Sequence, residues 1–404
     1  MKLAFVTPRY GRDVMGGAEA AARQLATHLS AAGRWSVEVF TTCALDHITW
    51  EDVLSPGDSV DEGVTVHRFA SAAGRSPAFY ELDARIRVAP RQAEVALARR
   101  WVELNGPVAP ALVDAVAASD ADVLAFYPYL YYPTVMGMAA ARAPAVLHPA
   151  AHDEPALYLR VYDPVFEGAD AICYHTAAER RLLQRVHRVG QVPQIVLGLG
   201  VAEVAAGGRP GGEVAGVGDH PYVVSVGRVD EHKGSAMLAA FFGTYKERHP
   251  GPLKLVMVGP VAATIAPHDD IVLTGAVDEA DKWDLVRDAT VAISPSAMES
   301  FSLVVLEAWE QSVPVMVNAL CEPTRDHCRH SGGGLWFGSY PEFEVVLERL
   351  CADDTLRRTL ARRGHAYVQR YFQWPRLIER YSRFLTSVCE RPRRGGVEVP
   401  VRSR

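Results

Sequence analysis

Apolar residues cluster in short runs separated by longer stretches of helical spacing. In the first half the runs are 3–7, 37–42, 64–69, 123–127, 145–147, 171–174 and 194–197. Their length, β-branched content and flanking Gly, Pro or Asp predict strands. Helical patterns lie between them, such as 18–32, closed by Gly33 as a C-cap, and 177–186. Alternation of this kind predicts a parallel sheet covered on both faces. The pattern breaks at 205–212, where glycine density and Pro210 mark an inter-domain linker. It restarts at 222–226 and continues through 253–258, 271–274, 291–293 and 313–317, a second and smaller parallel α/β domain. No sequence repeat relates the halves. Residues 355–385 read as helical, with Pro375 kinking or restarting the helix. The expected division is a first domain 1–202, a linker 203–220, a second domain 221–365, a C-terminal helix 366–388 and a disordered tail 389–404.

Composition narrows the class. The chain has 404 residues, 49% apolar and 22% charged, which suits two or three globular domains and excludes a collagen, a disulfide scaffold or bulk disorder. No apolar run approaches the roughly 18 residues of a membrane span, and the first residues are too short for a signal peptide. Six scattered cysteines form no disulfide framework, so a reducing, cytoplasmic setting is expected. The net charge of −6 argues against a nucleic-acid partner. Only five of the 42 basic residues are lysines, at 2, 233, 246, 254 and 282, so a lysine inside a motif stands out.

Four segments carry candidate chemistry. After the first strand, Gly16 and Gly17 open a helix, where backbone can approach a ligand and free amides face an anion. No G-x-G-x-x-G stands there, so this is not the dinucleotide fingerprint. After the first strand of the second domain comes Gly227-Arg228-Val229-Asp230-Glu231-His232-Lys233-Gly234. Arg228 and Lys233 at a strand end suit a diphosphate, one as a planar fork and one as a point charge; a solvated charged turn is the alternative. The third segment runs from Ser294 to Ala308, with a helix expected near Phe301. The amides of Ser302, Leu303 and Val304 would then be free donors, with Glu299 in the preceding loop. Glu307, expected two turns into that helix among apolar neighbours, needs a partner, and sugar hydroxyls would serve; the alternative puts it on a solvent stripe with Glu310. The fourth segment gathers His148, His152, Asp153 and Glu154 just past a strand end. Cys321, His327, Cys328 and His330 match no common zinc spacing and read as packing.

The ordered set of a Gly-Gly loop, G-R-V-D-x-x-K-G and a Glu-x7-Glu closely resembles family 4 of the glycosyltransferases, retaining enzymes of the GT-B fold, over residues 1 to about 385. The resemblance implies two Rossmann-like domains facing across a cleft, with the C-terminal helix returning to the first. It implies a nucleotide-sugar donor on the second domain and no metal or other cofactor. Arg228 and Lys233 match the pair on the donor diphosphate, Glu299 the contact to the transferred sugar, and Glu307 the ribose contact. Phe301, Ser302, Leu303 and Val304 match the segment under the phosphates. Gly16 and Gly17 match the loop that closes over the donor. His152 matches the histidine near the sugar, with His148, Asp153 and Glu154 on the acceptor side. Ser302 departs from the family's usual glycine, and residues 318–324 depart from its small-residue pattern. UDP, GDP and deoxysugar donors all fit this phosphate geometry. A glycan, a lipid-linked sugar or a small secondary metabolite fits as acceptor.

Arginines 68, 75, 85, 87, 91, 99, 100, 180, 181, 185 and 188 could form a basic face for peripheral membrane contact at the cytoplasmic side, or simply a solvated one. Tyr127, Tyr129, Tyr131 and Tyr132 could line an acceptor slot or pack. A sugar-nucleotide epimerase, a phosphorylase and a non-catalytic binding subunit are the competing readings. The Glu-x7-Glu with Arg228 and Lys233 argues against the epimerase, the scarcity of lysines for a pyridoxal phosphate against the phosphorylase, and the intact Arg228, Lys233, Glu299 and Glu307 against the non-catalytic subunit.

Overall fold

A computed structural model describes residues 1–14, 16–202 and 208–391. The chain divides into two compact units: Met1–Leu199 with the chain from Pro375 onward, and Gly200–Trp374. The first holds β1 (Lys2–Val6), β2 (Ser36–Thr42), β3 (Gly57–Asp61), β4 (Val64–Phe69), β5 (Val123–Phe126), β6 (Ala145–Leu147), β7 (Ala171–Tyr174) and β8 (Gln194–Val196). They form one sheet in the order β3-β4-β2-β1-β5-β6-β7-β8. Every pairing is parallel except β3 with β4. β1, β5 and β7 are buried almost throughout, as strands covered on both faces must be. β3 was not expected. Its sequence Gly-Asp-Ser-Val-Asp is exposed at the sheet edge, so it shows no apolar run.

The helix at the end of the chain, Trp374–Cys389, does not continue the preceding one, Asp354–Tyr371. Pro375 stands in its first turn, where a missing amide is harmless, so it starts a helix and does not kink one. From Pro375 on, this helix belongs to the first unit. Trp35 Nε1 donates to Ser382 Oγ at 3.0 Å and Arg380 Nη2 to the Val196 carbonyl at 2.8 Å.

The second unit holds β9 (Tyr222–Val226), β10 (Lys254–Val258), β11 (Ile271–Gly275), β12 (Val291–Ser294), β13 (Val315–Asn318) and β14 (Gly334–Phe337). Their order is β11-β10-β9-β12-β13-β14, all parallel. β14 is a second unexpected strand, hidden in sequence by the glycines that precede it. Part of the expected linker is packed. Gly211–Ala215 is a short helix, and the amides of Arg209 and Gly211 donate to Asp284 and Asp288 at 2.7 and 2.8 Å. Residues 203–207 of that linker, and 392–404 of the expected tail, lie outside the described residues. In both sheets the strand order reverses at the first strand: β1 lies between β2 and β5, and β9 between β10 and β12. Open parallel sheets bind ligands at the carboxyl ends beside such a reversal.

A polar network is buried in the first unit. His148, one residue past β6, is fully buried; its Nε2 is hydrogen-bonded to the Tyr381 hydroxyl at 2.6 Å, and its ring stacks on Tyr127 at 5.0 Å. The Tyr127 hydroxyl is bonded to His175 Nε2. Burial pushes both histidines down, His148 well below its ordinary value and His175 to about 3. Glu179 is also buried, and burial raises its carboxyl to about 7 although it accepts from the amides of Ala151 and His175 at 2.8 and 2.6 Å.

These shifts set a pH dependence. A histidine with a depressed folded pKa contributes stability that is complete above about 6.5 and is lost as pH falls. Glu179 has the opposite sign between its ordinary value of 4.5 and about 7, and it offsets one of the two histidines. Acidification from pH 7 to 5.5 should therefore weaken the first unit. His148→Phe should lower stability at pH 7 but flatten that slope by roughly 0.8 kcal/mol per pH unit averaged over this window, the uptake of most of one proton. Urea unfolding at the two pH values checks this; an unchanged slope in the variant would remove His148 as a source.

Candidate functional site

The site is built by two loops on neighbouring strands. β9 ends at Val226 and runs into Gly227–Gly234; β12 ends at Ser294 and runs through 295–302 into the helix Leu303–Glu310. The strands pair directly, Val291 beside Val223 and Ala292 beside Val224. Segments far apart in sequence therefore meet. Gly234 has φ 73°, and a Cβ there would fall 2.7 Å from the Pro295 carbonyl oxygen, so this contact admits only glycine. From the other side Asn318, at the end of β13, donates to the same carbonyl at 2.9 Å.

The cations sit in this frame. Lys233 Nζ lies 2.6 Å from Glu299 Oε1, and Arg228 Nε donates to Asp230. Asp230 also accepts from the Lys233 amide at 2.8 Å, and its own amide is held by Ser235 Oγ at 3.2 Å. Burial would raise the Asp230 carboxyl, but the bonds from Lys233 and Arg228 outweigh it and hold it low. The cation side chains are 45% and 40% exposed, whereas Asp230 and Glu299 are 11% and 15% exposed. The carboxylates are thus fixed and the cations can turn outward. Gly227, Arg228, Lys233, Ser296, Glu299 and Val304 line one pocket.

The helix starts at Leu303, two residues later than expected. Ser302 takes left-handed backbone, φ 70°, which cannot be the first residue of a right-handed helix. Leu303 and Val304 hold first-turn positions, whose amides have no carbonyl one turn back and are free for an anion. Phe301 is corrected from donor contact to anchor. Its ring is 2% exposed and packs edge-on against His327 and Phe372 at 5.2 and 5.6 Å, so only its backbone faces the loop. Trp309 locks the far end: its Nε1 donates to the Gly333 carbonyl at 2.9 Å, and Gly364 leaves no room for a Cβ against its ring.

Glu307 lies one turn inside the helix, not two, on the partly open face shared with Leu303 and Val304. Its partner is Lys282, on the helix Glu279–Arg287, with Nζ 3.2 Å from Glu307 Oε1 and 2.5 Å from Glu279 Oε1. Burial raises the Glu307 carboxyl against the pull of Lys282. Burial also works against the lysine's charge, but two carboxylates outweigh it and hold Lys282 up. Sequence reasoning missed Lys282. Its rarity as a lysine, three residues after Glu279, was the available signal.

The other candidates lie in the first unit. Gly16 precedes and Gly17 begins the helix Gly17–Ala31; Met15 beside them lies outside the described residues. A Cβ on Gly16 would strike the Glu19 carboxylate at 2.3 Å, so that glycine makes room for a buried ion pair that sequence reading also missed. Arg9 donates to Glu19 Oε1 through Nε at 3.0 Å and to the Leu45 carbonyl at 2.8 Å. His152 is half-buried with Nδ1 3.7 Å from Glu154 Oε1, and Glu154 accepts from Tyr129 at 2.9 Å. Burial would raise Glu154, but His152 and Tyr129 bring it below its ordinary value. Asp153 accepts from the Tyr158 hydroxyl at 2.7 Å. His148 is corrected: fully buried on Tyr381, it is a packing histidine with no surface for an acceptor. Tyr127 and Tyr129 are likewise buried and line no slot. In the expected basic face, Arg87, Arg91 and Arg100 pair with Asp83, Asp163 and Glu103.

Cys321, His327 and Cys328 are buried in the packing under Phe301, and burial, with His330 nearby, pushes His327 down to about 4. Among the described residues no group of three or more His, Cys, Asp or Glu is placed to hold a metal. None of the described helices is long and apolar enough to cross a membrane.

Residues 214–366, the segment holding both loops, match the family described as Glycosyl transferases group 1. A lipopolysaccharide core biosynthesis glycosyltransferase, LpsE of Rhizobium meliloti (strain 1021), is 30% identical over 178 residues, 42% of this chain and 51% of that protein. The match thus spans about half the length of that relative. Sucrose-phosphate synthase from Thermosynechococcus elongatus superposes with a TM-score of 0.71 at 18% identity, over 96% of this chain and 98% of that one. Anabaena Alr3699/HepE in complex with UDP and glucose gives 0.68 at 16% identity, over 96% and 100%. At these identities the likeness is one of fold: α/β, of the GT-B type, with two parallel-sheet units.

Ser302 is the strained point of the site. A serine in left-handed backbone carries a cost that glycine does not, and its Oγ is buried without a hydrogen-bond partner among the described residues. Ser302→Gly should therefore raise stability by about 1 kcal/mol. Thermal melts check it, and an equal or lower midpoint would show that the hydroxyl is not a burden.

Proposed function

We propose that this chain is a retaining glycosyltransferase of family 4, moving a sugar from a nucleoside-diphosphate sugar to a hydroxyl acceptor. The observation that carries the reading is the convergence of Arg228, Lys233, Glu299 and Val304, in the first turn of Leu303–Glu310, on one pocket at the reversal of strand order. The group 1 family match over 214–366, and the UDP and glucose held by a protein of the same fold, support it.

In this reading the donor diphosphate takes hydrogen bonds from Arg228, Lys233 and the amides of Leu303 and Val304. The amides are in place beforehand and the cations have only to turn outward, so that all face the charge that grows as the leaving group departs, which is where fixed dipoles and cations lower a barrier most. Lys233 has three protons. One stays on Glu299, and the others turn to phosphate. Glu299, held by Lys233, presents its second oxygen to hydroxyls of the transferred sugar. The acceptor hydroxyl attacks from the face the diphosphate leaves, and the departing phosphate oxygen takes its proton. No carboxylate nucleophile and no metal enter the scheme.

We assign the acceptor to the first unit, with His152 as its polar contact and Asp153 and Glu154 nearby. The match to a lipopolysaccharide core enzyme supports a glycan or lipid-linked acceptor, met from the cytoplasm at the membrane surface. Paired arginines argue for a weak surface contact only.

Thermal shift against UDP, GDP and their sugars tests the donor site. A ligand at 100 times its Kd stabilises by about 2.7 kcal/mol. One nucleotide should shift the melt of the native chain and leave Arg228→Ala/Lys233→Ala unmoved. Once a donor is known, Arg228→Ala should lower kcat by about 100-fold or more. Absence of any shift would favour a non-catalytic binding protein, and unchanged kcat would remove Arg228 from the chemistry.

A further inference from the structure

Lys282 lies outside the pocket of Arg228 and Lys233, yet it is the group that touches Glu307. We infer that Lys282 is a positioning residue for nucleoside recognition: it holds one oxygen of Glu307 so that the other accepts from a ribose hydroxyl. The inference rests on the reading of Glu307 as the ribose contact.

Three observations carry it. First, the contact crosses between helices. A lysine at i+3 from Glu279 needs no second partner to be satisfied, yet Nζ also reaches Glu307 Oε1 at 3.2 Å. Second, the amine is held in place. Its side chain is only 17% exposed, and Nζ lies 4.6 Å over the Trp283 ring, so it is not a mobile surface cation. Third, the hydrogen-bond inventory is divided in a useful way. The ammonium has three donors, of which Glu279 and Glu307 take two, while Glu307 offers two oxygens and Lys282 occupies Oε1. Glu307 shares the partly open helix face with Leu303 and Val304, the residues whose amides face the proposed phosphates. A carboxylate fixed by one oxygen presents the other in a set direction. A carboxylate without the lysine, buried as Glu307 is, either turns or takes a proton, and a protonated acid is a poorer acceptor.

The consequence is selectivity for ribose over deoxyribose. A hydrogen bond from a ribose hydroxyl to a charged carboxylate is among the stronger neutral-to-ion contacts, so its loss should weaken binding about 10-fold or more. Titration calorimetry on the full chain with UDP and GDP, each beside its 2′-deoxy and 3′-deoxy counterparts, measures that penalty. The native chain should show it, Glu307→Gln should reduce it to within about threefold, and Lys282→Met should do the same. Lys282→Arg, which restores a cation, should recover it. If Glu307→Gln erases the penalty and Lys282→Met keeps it, the lysine is only a strut between helices and the inference falls while the reading of Glu307 stands. If the native chain shows no penalty, binds neither nucleotide, or keeps the penalty in Glu307→Gln, the ribose reading falls and takes the inference with it. Should Lys282→Met fail to fold, Lys282→Ala takes its place: a lost penalty supports the positioning role, and a retained one overturns it.

Discussion

The pairing of β9 with β12 is the constraint on which the site depends. These strands are far apart in sequence, and they are neighbours only because the sheet is wound outward in both directions from β9. That winding puts the carboxyl ends of two strands side by side with no helix crossing between them. The loops that leave those ends must then pack on each other. Gly234 against the Pro295 carbonyl is where they touch. A side chain at that point would separate the loops, and with them Lys233 and Glu299. The ion pair follows from the backbone contact; nothing suggests that it creates it.

The electrostatics of this pocket are balanced. Arg228 faces Asp230 and Lys233 faces Glu299, so the pocket carries two pairs and little net charge from them. Partly exposed pairs like these contribute little to stability. Their value lies in geometry. The acids are the less exposed partners, and Asp230 is also tied to the Lys233 amide; the cations are the exposed ones. An arriving anion can therefore recruit the cations without moving the loop, and the acids are left facing whatever the anion carries.

Much of this was legible in the chain. Buried parallel strands are continuous apolar runs, and their alternation with helical spacing gave both sheets nearly to the residue. What escaped had a weak signal: β3 is polar and exposed, and the short Leu-Trp-Phe run of β14 follows directly on glycines. Arg228, Lys233 and Glu299 were legible because loops at strand ends carry chemistry in short, fixed spacing. His148 was misjudged for a physical reason. A histidine at a strand end looks available in sequence, and only the return of the last helix, bringing Tyr381, shows it buried. Lys282 was missed because its partner is on another helix, and pairing across helices leaves no trace in local spacing.

The helix Leu303–Glu310 has only eight residues, too few to hold its own shape in water. It stands because it is clamped at both ends. Phe301 is sunk among His327 and Phe372 before it, and Trp309 is sunk against Gly364 and bonded to Gly333 near its end. Those anchors place Ser302 between a buried ring and the first helical turn. The left-handed backbone there is imposed by the clamp, since serine has no preference for it. A helix held this firmly presents its free amides in one direction, and in the proposed reading that fixed direction is what electrostatic stabilisation of a leaving diphosphate requires.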